Sequence, residues 1–320
     1  MKTLIHLPTN LFCHSINQIK MNRVFSLGSE WVYFKIYSGY KIADIILLEY
    51  LKEKIELLQS QNHIKKWFFI RYKDSDSHLR VRFQVNGHEN FFHVMKEFKP
   101  VWEDLLVKNY TWKVQNDTYL REIERYGEKT IEDSETLFYF DSILMLDYLS
   151  LKNHFQKEDT QLLFSLIVID RFLDAFLLSI SEKFHLLNEM QQSFKNEFNA
   201  TKVLKSEFDK HYRSLEKEIS NTINQFENPE FASLHEIIDE KSNNIKPIAN
   251  SIKKNLEINL NSFLSSHIHM IINRQYTSRQ REYEILIYDH LFRYYKTCFY
   301  REVDFLKDDT IQNLVTLGNK

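Results

Sequence analysis

Cysteine is nearly absent: Cys13 and Cys298 are the only two in 320 residues, too few and too far apart for a disulfide framework or a cysteine-ligated metal site. A reducing, cytoplasmic setting is therefore expected. Glycine is scarce too, and five residues leave no glycine-rich loop to cradle a nucleotide phosphate. No apolar run approaches the ~20 residues that span a bilayer. The first residues are broken by His6, Pro8, Thr9 and Asn10 before a signal-peptide core can form. Neither export nor membrane insertion is expected. Lys and Arg number 42 against 44 Asp and Glu, so a net charge of −2 supplies no general field for a polyanion, and direct nucleic-acid binding is not implied. Histidine pairs such as His267 and His269 lack the spacing and companions of a metal site, so neither a metal nor another cofactor is expected.

What is present is apolar and aromatic material enough for a sizeable core: 43% hydrophobic residues and 14% aromatic ones. Residues 1–29 read as an N-terminal extension. From Trp31 two periodicities alternate. Trp31 to Tyr37 is rich in aromatic and β-branched residues, as a strand should be. Ala43 to Leu58 repeats apolar residues at helical spacing. Trp67 to Tyr72 and Leu79 to Val85 read as strands joined by the turn-like Asp74 to Ser77. A helix from Glu89 to Val107 contains Pro100, which argues for a kink or break, and Tyr110 to Val114 reads as a fourth strand. This order predicts an α+β fold: a ferredoxin-like split βαββαβ antiparallel sheet over residues 30–127, with helices on one face. Residues 128–320 then read as a mostly helical lobe, with apolar helices over Glu132 to Leu149, Thr160 to Leu178 and Ser251 to roughly Tyr300. The polar stretch Glu189 to Asn255 reads as exposed helices or a mobile arm.

Three clusters have the residue types of a reactive site. Alternation along the third strand puts His78, Arg80 and Arg82 on one face, a platform of guanidinium groups suited to carboxylates; a solvated outer face is the competing reading. Arg121 and Arg125 alternate with glutamates just after the fourth strand, where surface ion pairs are the plain alternative. In an apolar helix, His269 and Asn273 lie four residues apart on one face, followed by Arg274. A histidine placed there can move a proton near neutral pH, although a buried histidine is more often structural.

In this order, six blocks resemble a known family: Trp31 to Tyr37 (WVYFKIY), Trp67 to Tyr72 (WFFIRY), His78 to Phe83 (HLRVRF), Tyr119 to Gly127 (YLREIERYG), Leu137 to Ser142 (LFYFDS) and His269 to Arg274 (HMIINR). Together they cover about residues 30 to 300 and resemble the C-terminal domain of lantibiotic dehydratases, also called the thiopeptide-type bacteriocin biosynthesis domain. The segment Gln275 to Arg279 departs from the apolar, glycine-containing continuation expected there.

The resemblance implies a lyase. In that family a larger domain uses glutamyl-tRNA to acylate Ser or Thr of a precursor peptide, and the C-terminal domain eliminates the glutamate to leave a dehydroamino acid. A chain of this length has no room for the larger domain, so the expectation is the elimination half of a split system. Its expected partners are the leader and glutamylated core of a precursor peptide, and a separate glutamylation protein. By the family's motifs the catalytic residues fall on Arg82, on Arg121 or Arg125 with Arg121 favoured, and on His269. The remaining members of the clusters, His78, Arg80, Arg125, Asn273 and Arg274, are then expected to bind substrate. Two other readings stand beside this one: a pyridine synthase-like enzyme that joins two dehydroalanines by cycloaddition, and a non-catalytic partner that binds the precursor peptide. The product mass separates the first; tight leader binding without turnover would mark the second. Fold analogy alone allows a homodimer.

Overall fold

In the computed structural model, residues 22–155, 159–198, 201–224 and 231–317 are described, with side chains to residue 303. Most of the extension anticipated over residues 1–29 lies outside them. Its last residues form a short strand β1 (Val24–Phe25), which pairs antiparallel with β6 (Tyr119–Leu120).

The strands expected from alternation are β2 (Trp31–Tyr37), β3 (Ile64–Lys73), β4 (Ser77–Val85) and β5 (Lys113–Asn116). They form one sheet in the order β3-β4-β2-β5 with every neighbour antiparallel. Between β2 and β3 run α1 (Ala43–Ile45), a π-helical segment (Ile46–Leu51) and α2 (Lys52–Ser60); between β4 and β5 runs α3 (Asn90–Val107). Pro100 does not end α3, which continues through it for seven more residues. Tyr110 to Trp112 lie in the approach to β5 rather than in the strand itself.

One sheet face carries Phe34 and Phe83, packed against Phe98 and Trp102 of α3. The opposite face is not left to solvent, contrary to the expectation of helices on one side only. α5 (Ile131–Leu151) and α10 (Leu260–Gln275) lie against β3. Phe68 of β3 meets Phe138 of α5 with ring centroids 5.4 Å apart. Two side chains seal the outer edge of β3. Ser142 Oγ accepts from the Phe69 amide at 3.2 Å. The carboxamide of Asn273 pairs with Arg71 as a neighbouring strand would: Oδ1 accepts from its amide at 2.9 Å and Nδ2 donates to its carbonyl at 2.8 Å. Unpaired backbone groups under these helices would cost about 1–3 kcal/mol each, so these contacts fix where α10 lies along the sheet.

The remaining helices are α4 (Ile123–Tyr126), α6 (Thr160–Ala175), α7 (Ile180–Glu197), α8 (Lys202–Ile223), α9 (Ala232–Asn255) and α11 (Gln280–Leu317). The polar stretch expected to be exposed or mobile is thus built into α7, α8 and α9. Tyr212, Leu215 and Ile219 bury one stripe of α8, which packs on α6 and α11. The single helix expected from Ser251 to Tyr300 is instead the end of α9, then α10 and α11. Buried residues from Phe25 to Tyr295 form one contiguous apolar core that spans sheet and helices alike. Among the described residues no helix is long and apolar enough to cross a membrane.

Candidate active site

Strand register sets the first wall of the site. Arg82 of β4 stands between Tyr33 of β2 and Phe68 of β3, and one step along the same face Arg80 stands between Lys35 and Ile70. Arg82 is only 8% exposed. Its guanidinium carbon lies 4.4 Å from the ring centre of Tyr33, 4.7 Å from Tyr119 and 5.3 Å from Phe68. No carboxylate of the described residues is paired with it, and its Nε has no hydrogen-bond partner. An aromatic box therefore holds a cation that lacks a counter-ion. Such rings offset part of the desolvation cost, at about 0.5–2 kcal/mol apiece.

Arg80 is positioned from both sides. Its guanidinium stacks 3.4 Å from the centre of the Tyr72 ring, and its Nε donates to His78 Nε2 at 3.1 Å. His78 Nδ1 donates to the carbonyl of Asp76 at 3.0 Å, which leaves Nε2 free to accept. Burial pushes the His78 pKa down and favours the neutral ring this arrangement needs.

The second wall comes from the turn into the helices. Gly127 has φ +77°, and a Cβ there would meet Thr130 Oγ1 at 2.6 Å, so the sharp exit from α4 requires glycine. One turn earlier, Arg125 is exposed, with Nε 3.3 Å from Glu122. Arg121 goes elsewhere. It is 1% exposed, and Nε and Nη2 each lie 2.7 Å from the carboxylate oxygens of buried Glu135, with its face on the Phe25 ring.

The third wall is α10. His269 is one helical turn before the Asn273 that grips the edge of β3, so the contact that docks the helix also places the imidazole. His269 Nδ1 bonds the carboxylate of Glu284, a fully buried residue of α11 whose other oxygen pairs with Arg281 at 2.6 Å. A carboxylate on Nδ1 orients the ring and selects the tautomer with Nε2 free. Nothing in the sequence pattern marked Glu284, because its partner lies across a helix pair.

These walls enclose a chamber of about 140 Å³ lined by Arg80, Arg82, Arg125, His269 and Asn273, together with Phe68, Tyr72, Tyr119, Tyr126 and Phe138. Five of the eight residues singled out from the sequence thus share one space. Three do not. Arg121 is consumed by Glu135. His78 faces a neighbouring hollow and reaches the chamber only through Arg80. Arg274 is 0% exposed, packed over Phe138 and bonded to the Met270 carbonyl, with its pKa lowered to about 10 by burial despite Asp141 nearby. Among the described residues no cluster of His, Cys, Asp or Glu could hold a metal ion. Chemically, the chamber can bind an anion on fixed cations and move a proton at one imidazole edge.

The chain belongs to the lantibiotic biosynthesis dehydratase C-terminal family, whose model matches residues 31–295. It is 26% identical over 259 residues to the epidermin biosynthesis protein EpiB of Staphylococcus epidermidis, covering 79% of this chain and 24% of that protein. To the subtilin biosynthesis protein SpaB of Bacillus subtilis it is 26% identical over 269 residues, covering 80% of this chain and 25% of that protein. It thus spans about a quarter of the length of these curated relatives. Among solved structures, the tRNA-dependent lantibiotic dehydratase MibB from Microbispora sp. 107891 shares the fold with a TM-score of 0.71 at 17% identity, over 87% of this chain and 29% of MibB. The pyridine synthase TbtD from thiomuracin biosynthesis superposes with a TM-score of 0.55 at 12% identity, over 84% of this chain and all (100%) of TbtD. At such identities both likenesses speak to the fold alone.

Proposed function

We propose that this chain removes glutamate from glutamylated Ser or Thr of a precursor peptide, leaving dehydroalanine or dehydrobutyrine, after a separate glutamyl-tRNA-dependent protein has attached the glutamate. The observation that carries the reading is the convergence of Arg80, Arg82, Arg125 and His269 from three elements on one small chamber. Membership of the dehydratase family supports the reaction class.

In this reading His269 Nε2 takes the Cα proton of the acylated residue, and the Glu284 carboxylate stabilises the resulting imidazolium. The electron pair forms the Cα–Cβ double bond, the Cβ–O bond breaks, and glutamate leaves as a carboxylate. The proton on His269 then passes to solvent. Arg82 stabilises the enolate or the departing carboxylate, a role suited to a cation with no counter-ion of its own. Arg80 and Arg125 hold the one free carboxylate of the ester-linked glutamyl group. Arg125 takes the part for which Arg121 was the first candidate, since Arg121 has no free edge toward the chamber.

The test is mass spectrometry on a chemically glutamylated precursor peptide incubated with the pure chain. The expected product has lost glutamate and carries dehydroamino acids, and Arg82→Ala or His269→Ala leaves the glutamylated mass unchanged. Full elimination by both variants refutes the assignment. A macrocycle with release of the leader would instead favour the cycloaddition reading.

A further inference from the structure

The chamber has room for an amino-acid side chain and not for a polypeptide, since sites that take larger ligands run to roughly 300–1,000 Å³. Two larger hollows adjoin it. The first, of about 490 Å³ between α7 and α10, shares Arg125 and His269 with the chamber. The other, of about 440 Å³, shares only Arg71 and Tyr72. Arg71 is already committed, its Nη2 donating to Asp44 at 2.6 Å and its Nε to the Arg274 carbonyl at 2.8 Å.

A glutamylated residue has two parts with different needs. The leaving group is small and anionic; the proton to be removed sits on the polypeptide. Arg80 and Arg82 line only the chamber, while His269 borders both the chamber and the 490 Å³ groove. An imidazole can reach Cα while guanidinium groups reach the free glutamyl carboxylate only if the two parts lie on its two sides. The groove suits a peptide chain. Small residues, Ser193 on α7 with Ser265 and Ser266 on α10, leave it open. The hydroxyls of Ser193 and Ser265 make no hydrogen bond among the described residues and are free for peptide amides and carbonyls. One wall is stiff, because Arg281 stacks 4.1 Å from the Phe194 ring and is held by Glu197 at 2.6 Å and by Glu284.

Resting on the elimination reading, we infer that the groove between α7 and α10 holds the polypeptide flanking the glutamylated residue, while the chamber admits the glutamyl group alone. His269 then stands at the partition between the two.

The probe is a fluorescent precursor peptide in which the reacting Ser is replaced by 2,3-diaminopropionate carrying glutamate as an amide, a link that does not eliminate. Its Kd is measured by anisotropy on the full chain. Ser193→Trp and Ser265→Phe are expected to raise Kd roughly tenfold or more, while Ser278→Trp, beside the 440 Å³ hollow, leaves it within about twofold. The capped single residue, N-acetyl and methylamide, should compete equally well against wild type and Ser193→Trp. Unchanged Kd in both filled-groove variants overturns the groove assignment, as does selective weakening by Ser278→Trp. If the wild-type chain binds neither probe nor capped residue, the elimination reading itself fails, an outcome distinct from the other two.

Discussion

Arg82→Met separates stability from function more sharply than any other single change. In the free protein Arg82 is a largely buried cation against three rings, with no counter-ion among the described residues. The rings return about 0.5–2 kcal/mol each, against an effective burial cost of several kcal/mol for an unpaired ion. Methionine keeps the length and fills the box without a charge, so the substitution is expected to stabilise the fold by about 1–3 kcal/mol. For a chain of this size that is a rise in melting temperature of roughly 2–5 °C. Elimination should fall by about 10²–10³, the effect of removing one fixed electrostatic contact from a developing anion. Thermal melts followed by circular dichroism, paired with single-turnover mass spectrometry on glutamylated peptide, read both quantities from one sample. A lower melting temperature combined with undiminished elimination would show that the cation serves the core and not a substrate.

Further outcomes follow from the same geometry. Arg121→Ala strands buried Glu135 and should cost about 3–5 kcal/mol in a melt, whereas Arg125→Ala should melt like wild type yet accumulate glutamylated peptide. Glu284→Gln removes the charge behind His269, so the elimination rate should drop about 10–100-fold in single-turnover mass spectrometry; an undiminished rate would show that the pair does not support the imidazole. Asn273→Ala leaves the amide and carbonyl of Arg71 unpaired, an expected loss of about 2–3 kcal/mol by denaturant titration. His267 and His290 are buried and held neutral, the latter pushed down to about 3. The unfolded chain binds their protons below its ordinary histidine pKa of ~6.5, so the stability they allow is present above that pH and lost as pH falls toward about 3. Between pH 6.5 and 5 each should cost about 2 kcal/mol, and His290→Gln should flatten the decline measured by urea titration.

Strands were legible because alternation is a local property. Trp31–Tyr37 and the arginine face of β4 could be read directly, and the same reading brought Arg80 and Arg82 to one surface. What covers that surface is a matter of contacts between distant segments, and α5 and α10 are hidden in periodicities that fit any buried helix. Arg121 and Arg125 could not be told apart from sequence for a related reason. Both sit in one charged run, and only the position of Glu135, fourteen residues beyond Arg121, shows which guanidinium is spent on the fold. The same holds for His78, which lines the neighbouring hollow, and for Arg274, which is buried over Phe138. The extended pattern at Ser251 to Tyr300 concealed two helix ends, because Leu256 and Tyr276 to Arg279 interrupt it without glycine or proline.

The amide grip of Asn273 on β3 ties two hazards together. A bare strand margin recruits other chains, and here the plug that blunts it sits on the same helix as His269. Loosening α10 would therefore displace His269 and uncover a sticky rim in one motion. A protein wired this way has little access to a soluble but idle form: losses of activity that begin at this helix should surface as precipitation.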